Sequence, residues 1–488
     1  MGRSGQQRRT ITSVTEALLP LVTMFVAFTA CAIAFGASQE LLVAVLLLAA
    51  AVAGATAARH GASWTDIQEA TGRRLAEVLP AVLILLAIGA LIASWMLSGT
   101  IPFLVYWGVR LVRPELLVPT AFLATAAMSL FTGTSWGSVG TVGVALVSTG
   151  AALGAPVAAT AGAVISGAYV GDKISPLSDT TNICALAAGV PLYTHVRHLL
   201  YTTLPSFAIA LVVYALSTRI TGGPTRMTDT ASAVLTDIDR FYHLGPVVLL
   251  PLVVAVVSIV RRTPPALGIM ASVIIALAIG VLLQPFALGD AIMAIVTGFR
   301  VTMIPGGEAA GDAFVRLAER GGLYSMASTL IVIVAAFLLA GGMEVSGALD
   351  LLLQRMLAAV ESVTGLIGAT LLSGTTMVAV TSHAGVTALI VGGLFREAYE
   401  RRGLAPENLS RTLEDSATIT EVLMPWTVSA VFMAGVLGVP TLEYAPWAVF
   451  NYTGPLIAMI IAATYPRTGI GIRRLQQPDT TFGVPVER

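Results

Sequence analysis

Apolar runs close to 20 residues long recur along this chain, and no other feature restricts its fold so much. A run such as ALLPLVTMFVAFTACAIAFG (17–36) has the length a helix needs to cross a hydrocarbon core of roughly 30 Å. Inside lipid every backbone N–H and C=O must be satisfied within the protein, so runs of this kind are used as helices. Such runs centre near residues 26, 49, 87, 210, 253, 275 and 332, with two more polar ones near 170 and 423 and a last near 455. They predict ten crossings in an all-α polytopic membrane protein. Of the 488 residues, 56% are hydrophobic and 11% charged, about half the charge of an ordinary soluble domain. The first run is read as a retained helix, because a second follows it at once. The formal charge of zero argues against a nucleic-acid partner and leaves the lipid bilayer as the expected surrounding. Cys31 and Cys184 both fall in apolar segments, which speaks against a structural disulfide.

Two further apolar regions are each divided by a polar break. They read VPTAFLATAAMSLF, TGTSWG, SVGTVGVALVSTG and GLIGATLLSGTTMVAV, TSHAG, VTALIVGGLF. Arms of about 14 to 16 residues cover only some 21 to 24 Å, which predicts hairpins that enter and leave on one side. Both breaks place Thr-Ser at the tip: Thr134 and Ser135, then Thr381 and Ser382, at an offset of 247. A second correspondence runs at 249, pairing the GVP segments at 189–191 and 438–440, Pro176 with Pro425, and Asp172 with Glu421. The chain therefore reads as a duplication. Its expected parts are a tail (1–16), a first repeat (17–220; hairpin 115–152, broken helix 158–187), a connecting loop (221–243), a second repeat (244–466; hairpin 363–398, broken helix 409–437) and a tail (467–488). Five crossings per repeat is an odd number, so the second copy is expected to be inverted, an architecture recurrent in secondary transporters. With both termini inside, most arginines fall in cytoplasmic segments, as the positive-inside bias requires. That orientation takes 101–112 as an interfacial helix. The amphipathic stretch 63–78 is expected to be a solvated connector with Glu69 and Arg73 paired at i,i+4.

The densest polar stretch in this apolar context is GDKISPLSDTTN (171–182), which holds Asp172, Asp179 and Lys173, the sole lysine in the sequence. An ionised side chain at the bilayer centre costs about 2.5–3.5 kcal/mol on insertion scales, so three together need partners or a wet cavity. Gly171 and Pro176 are expected to interrupt the helix and free carbonyls for a cation. Ser175, Ser178, Thr180, Thr181 and Asn182 add hard oxygen ligands suited to an alkali ion or a proton-exchanging site. Asp179 is the first candidate for the carboxylate that alternates between sodium and a proton, with sodium at Asp179, Thr180 and Asn182. Asp172 and Lys173 are expected to balance each other's charge, either as a structural pair or as part of the empty site. Asp415 and Glu421 are the candidate second proton carriers, whereas Glu414 is placed near a helix start, where an acid complements the dipole. His383 at the second tip titrates near neutrality or serves as a hydrogen-bonded structural group. Thr134, Ser135, Thr381 and Ser382 are caps, ligands or both.

The segments GTSWGSVGTVG, SGAYVGDKISPLSDTTN, SWMLSGTIP and GGLYSMASTLIVIVAAFLLAGGMEVSG resemble the NhaC-type sodium/proton antiporter family over residues 14–465. The resemblance implies sodium and protons as cargo, no organic cofactor and no enzymatic activity. It also implies two inverted repeats with re-entrant hairpins, a homodimer, elevator-like alternating access and a multi-pass place in a prokaryotic inner membrane. Members of that family also exchange malate for lactate or move amino acids, so a coupled exchanger of an organic acid or amino acid is the rival reading. In related carboxylate transporters a hairpin-tip Asn contacts the substrate, and neither tip here carries one. An intramembrane aspartyl protease is a distant alternative, because YVGD lacks a glycine two positions before Gly-Asp and a hydrolase has no need of duplicated hairpins. A passive channel leaves the embedded lysine unexplained.

Overall fold

Helix formation is dictated here by apolar length, and some starts are capped by a small polar side chain, as at Ser38, Ser63, Thr228, Ser362 and Thr427. The computed structural model describes residues 11–36, 38–222, 228–358 and 360–475; the outer parts of both expected tails and part of the connecting loop (1–10, 223–227, 476–488) lie outside the described residues. Among the described residues the regular structure is helical, apart from one antiparallel bridge between Leu404 and Arg474. Among the described residues nine helices are long and apolar enough to cross a membrane, and up to twelve spans result if each bent pair is counted as one. Three of the nine, Pro114–Thr132, Ser135–Leu153 and Val363–Thr381, are hairpin arms that the sequence reading leaves out of its ten crossings.

The same order of elements occurs twice. Two apolar helices, Val14–Phe35 and Gln39–Arg59, lead through a connector to Leu79–Leu97 and then to the short helix Thr100–Leu111. A hairpin follows, with arms Pro114–Thr132 and Ser135–Leu153, then the broken helix Val157–Ile174 and Asp179–Ala188, then Leu192–Thr221. The second series runs Pro246–Val260, Pro265–Leu283, Leu323–Val345, Ala348–Ala358, the hairpin arms Val363–Thr381 and Ala384–Arg401, the broken helix Glu407–Leu423 and Val428–Leu437, and Val449–Thr468. Packing between the series is reciprocal. Leu79–Leu97 lies on Pro265–Leu283, and Leu323–Val345 lies on Gln39–Arg59.

The hairpin arms are longer than the sequence suggests. Three span 19 residues and the fourth 18, about 28 Å at 1.5 Å per residue. Hydroxyls inside the arms return to the carbonyl one turn back, as in Thr141 to Gly137 (2.7 Å) and Thr132 to Met128 (2.9 Å), so Thr and Ser do not end the helix. The arms nonetheless turn back at the level of the helix breaks. Gly167 lies against Phe122 and Ala126, and Gly171 against the backbone of Ser129 and Leu130, with no room for a side chain at either. The first arm and Val157–Ile174 therefore run parallel and end together, close-packed through small residues. In the second series Gly374 meets Ser416, and Trp426 Nε1 donates to Ala379 O (2.7 Å), which gives the same parallel arrangement. At 12 residues, Thr100–Leu111 reaches about 18 Å, too short to cross.

The connector Trp64–Glu77 begins with a capping box between Ser63 and Asp66. Its expected Glu69–Arg73 pair is not what the structure uses. Arg73 and Arg74 both reach Glu344 on Leu323–Val345, at 3.2 and 2.8 Å. A partner on a packed helix fixes the connector, where a pair on its own surface would not.

Candidate functional site

The two tips are equivalent at an offset of 249, not 247. Gly133 (φ 69°) and Ser382 (φ 55°) both take the left-handed turn that ends the first arm. The next residues cap the second arm: Thr134 Oγ1 accepts from Gly137 N (3.3 Å) and His383 Nδ1 from Val386 N (3.5 Å). One offset then covers tips and breaks alike, and His383 is the counterpart of Thr134. The Thr-Ser match at 247 is a coincidence of two small-residue pairs. Thr381 is buried and bonded to Thr387 Oγ1 (2.7 Å), and the buried Ser382 hydroxyl has no partner. Each tip rests on the break of its own half: Gly133 against Leu177 and Ser178, and Ser382 O accepting from Val428 N (3.3 Å).

A cavity of about 600 Å³ lies between the tips and the breaks. Its lining includes Thr134, Ser135, Asp172, Asp179, Thr180, His383 and Glu421, together with Trp136 and Tyr169. Exposed Glu77, Pro80, Arg262, Thr263 and Pro265 form its mouth. Asp172 is held in this wall from two sides. It is 5% exposed, and its two carboxylate oxygens accept from Ser135 Oγ of the tip (2.6 Å) and Ser178 Oγ across the break (2.7 Å). From Ser178 the hydroxyl line continues to Thr180 Oγ1 (3.0 Å) and on to Glu414 Oε1 (3.5 Å). Glu421 is 5% exposed and accepts from Ser429 N at 3.4 Å. Among the described residues none of Asp172, Asp179 and Glu421 is in an ion pair.

Lys173 does not balance Asp172. Consecutive helix residues point about 100° apart, so Asp172 faces the tip while Lys173 faces the other broken helix. There Lys173 Nζ meets Asp415 Oδ1 at 2.5 Å, both side chains fully buried, and donates to Thr202 Oγ1 at 3.1 Å. The pair joins the two halves across 242 positions of sequence. Asp415 is thereby a counter-ion rather than a free acid.

The expected sodium set of Asp179, Thr180 and Asn182 does not converge. Asp179 opens the second half-helix at an exposed position on the cavity, and Asn182 turns its amide back to Pro176 O (3.1 Å) and Ser178 O (2.6 Å). Thr181 faces away as well, stapling the break by donating to Asp172 O (2.8 Å) and Lys173 O (3.0 Å). Ser175 ties the break to the first arm through Leu130 O (3.2 Å). Glu414, placed near a helix start by the sequence, lies instead in a wide π-type turn over Glu414–Thr418, with no exposed surface. Its neighbour His195, 4.0 Å away on Leu192–Thr221, is not among the residues the sequence reading identifies. The available signal was polar spacing: His195, His198, Thr202 and Ser206 fall on one face of an otherwise apolar helix.

A sequence model described as the Na+/H+ antiporter family matches residues 9–181 and 167–464. The chain belongs to that family. This antiporter-family chain is 42% identical over 435 residues to an uncharacterized Na+/H+ antiporter of Haemophilus influenzae, covering 88% of this chain and 92% of that protein. It is 35% identical over 418 residues to the Na+/H+ antiporter NhaC of Alkalihalophilus pseudofirmus, covering 85% and 87%. It is also 32% identical over 456 residues to the arginine/ornithine antiporter ArcD of Halobacterium salinarum, covering 93% and 92%.

Proposed function

We propose that this chain exchanges sodium for protons across the cell membrane by alternating access, with both cargoes competing for Asp172. The observation that carries the reading is the state of that carboxylate. It sits at a cavity wall inside an apolar protein, takes one hydroxyl donor on each oxygen and has no positive partner, because Asp415 occupies the single lysine. A buried carboxylate in that position needs either a proton or a cation. Ser135, Ser178 and Thr180 supply oxygens around it, and Asp179 and Glu421 stand by on the same cavity. Sodium binding expels the proton, and the loaded forms are the ones that cross.

The recurring element order and the reciprocal packing support two inverted repeats, with the tips and breaks at the midplane. The arginine bias supports a cytoplasmic position for both termini and for the segments around Glu77 and Arg262, and on this reading the cavity mouth faces inward. A homodimer with an elevator-like movement fits this plan, as does transport in place of covalent chemistry.

A second reading is favoured by the cavity's size and charge. A space of about 600 Å³ edged by Glu77, Asp172, Asp179 and Glu421 against Arg262 accommodates a small organic cation as well as sodium, in line with the arginine/ornithine relative. Sealed vesicles carrying a pH dye test both. A sodium pulse should change the dye signal in wild type and not in Asp172→Asn, while labelled carboxylates and amino acids stay outside. A full response from Asp172→Asn would refute the assignment, and uptake of a basic amino acid without a sodium response would establish the second reading.

A further inference from the structure

Outside the cavity, one seam holds most of the unpartnered buried polar atoms of the described chain. It lies between Leu192–Thr221 and the first part of the second broken helix. On one side, His195 Nε2, both ring nitrogens of His198, Thr203 Oγ1 and Ser206 Oγ have no hydrogen-bond partner. On the other helix, Arg411 Nε and Nη2, Glu414 Oε2 and Asp415 Oδ2 are equally unpartnered. His195 and Glu414 have no exposed surface and His198 is 1% exposed.

An unsatisfied buried polar atom costs about 1–3 kcal/mol, and more when charged. Nine of them would together cost about 9–27 kcal/mol on that scale, as much as or more than the roughly 5–15 kcal/mol by which proteins are ordinarily stable. Water is the partner that fits this mixture of donors and acceptors, since buried waters typically make about three bonds to such groups.

The seam also has a direction. His195 Nδ1 bonds Ser410 Oγ (2.7 Å), and further along Lys173 joins Thr202 to Asp415, so the two helices run in parallel. At the start lies a pair of half-exposed Arg473 with the buried Glu407, Nη1 to Oε1 at 3.6 Å. At the end lies Glu414, which touches Thr180 on the cavity. We propose that this seam is a hydrated file, separate from the cavity, that brings water and hence protons from the Glu407–Arg473 surface to Glu414. Its role as a proton route rests on the exchange reading above; its being wet does not. His195 and His198 are positioning residues in it, holding water between the surface and the inner groups.

Hydroxyl-radical footprinting of the full-length protein in lipid nanodiscs reads hydration directly, with water as the probe. His195 and His198 should be labelled several-fold faster than Trp95 and Phe337, which are as deeply buried in apolar surroundings. Labelling no faster than at Trp95 would overturn the inference whatever the protein transports. In vesicles, His198→Leu should slow the sodium-driven pH change at least threefold while the half-saturating sodium concentration stays unchanged. An unchanged rate would refute the proton route, and a shifted half-saturation would show that His198 acts on the cation site instead. His198→Gln, which keeps a polar side chain, should recover most of the rate.

Discussion

Removing Asp415 leaves the single lysine as an uncompensated buried charge, and the cost follows from the geometry. Lys173 and Asp415 are 2.5 Å apart with no exposed surface on either side chain, so little solvent is present to screen the loss. Breaking a buried pair by deleting one partner costs about 3–5 kcal/mol, on the order of 10²- to 10⁴-fold in the folded-to-unfolded ratio. The bond from Lys173 to Thr202 and its approach to the Phe450 ring, 5.6 Å from Nζ to the centroid, offset only a part. Asp415→Asn should therefore lower the denaturation midpoint sharply in equilibrium unfolding in detergent. The double variant Lys173→Met/Asp415→Leu removes both charges and should recover most of the loss, because apolar replacement of a buried pair is close to neutral. The expected coupling is at least about 2 kcal/mol. If Asp172→Asn carries the loss and Asp415→Asn does not, or the coupling falls below about 0.5 kcal/mol, the cross-helix pairing is refuted.

Three other outcomes follow from packing. Gly171→Ala places a methyl on the backbone of Ser129 and Leu130, whereas Gly393→Ala meets nothing within 4 Å; thermal unfolding should show a large loss for the first and none for the second. Thr181→Val removes the staple over Asp172 O and Lys173 O and should cost about 1–3 kcal/mol, read as a lower midpoint; an unaltered midpoint would mean that the break holds without it. Trp136 stacks on Phe432 at 4.0 Å between centroids and 16° between planes, joining the first hairpin to the second broken helix. A double-mutant cycle with Trp136→Leu and Phe432→Leu should give a coupling of about 0.5–1.5 kcal/mol, and purely additive losses would deny the stack a role.

Much of this architecture is legible in the sequence because the bilayer imposes it. Run length gives the helices, and a polar break inside an apolar run gives the tips and the interruptions near Pro176 and Pro425. What remained hidden is side-chain direction. Asp172 and Lys173 are neighbours in sequence, yet one faces the Ser135 tip and the other reaches Asp415 on the opposite helix. Glu414 and Asp415 likewise diverge from one wide turn, toward Thr180 and Lys173 respectively. Thr-Ser in both tips suggested the wrong register, because the turn is set by which residue takes the left-handed conformation, and that role is filled by a glycine once and a serine once. Arm length was underestimated because Thr and Ser can stay helical by bonding back to a carbonyl of the preceding turn. The polar stripe from His195 to Ser206 was readable at helical spacing, but its significance depends on what packs against it.

The most direct measurement of the central claim is proton release on sodium binding at equilibrium. Purified protein in detergent, in weak buffer with a pH indicator, should acidify the solution when sodium is added and not when choline is added. Asp172→Asn should abolish the release, while Asp415→Leu combined with Lys173→Met should retain it. Sodium binding without any proton release, or an undiminished release from Asp172→Asn, would contradict competition at that carboxylate.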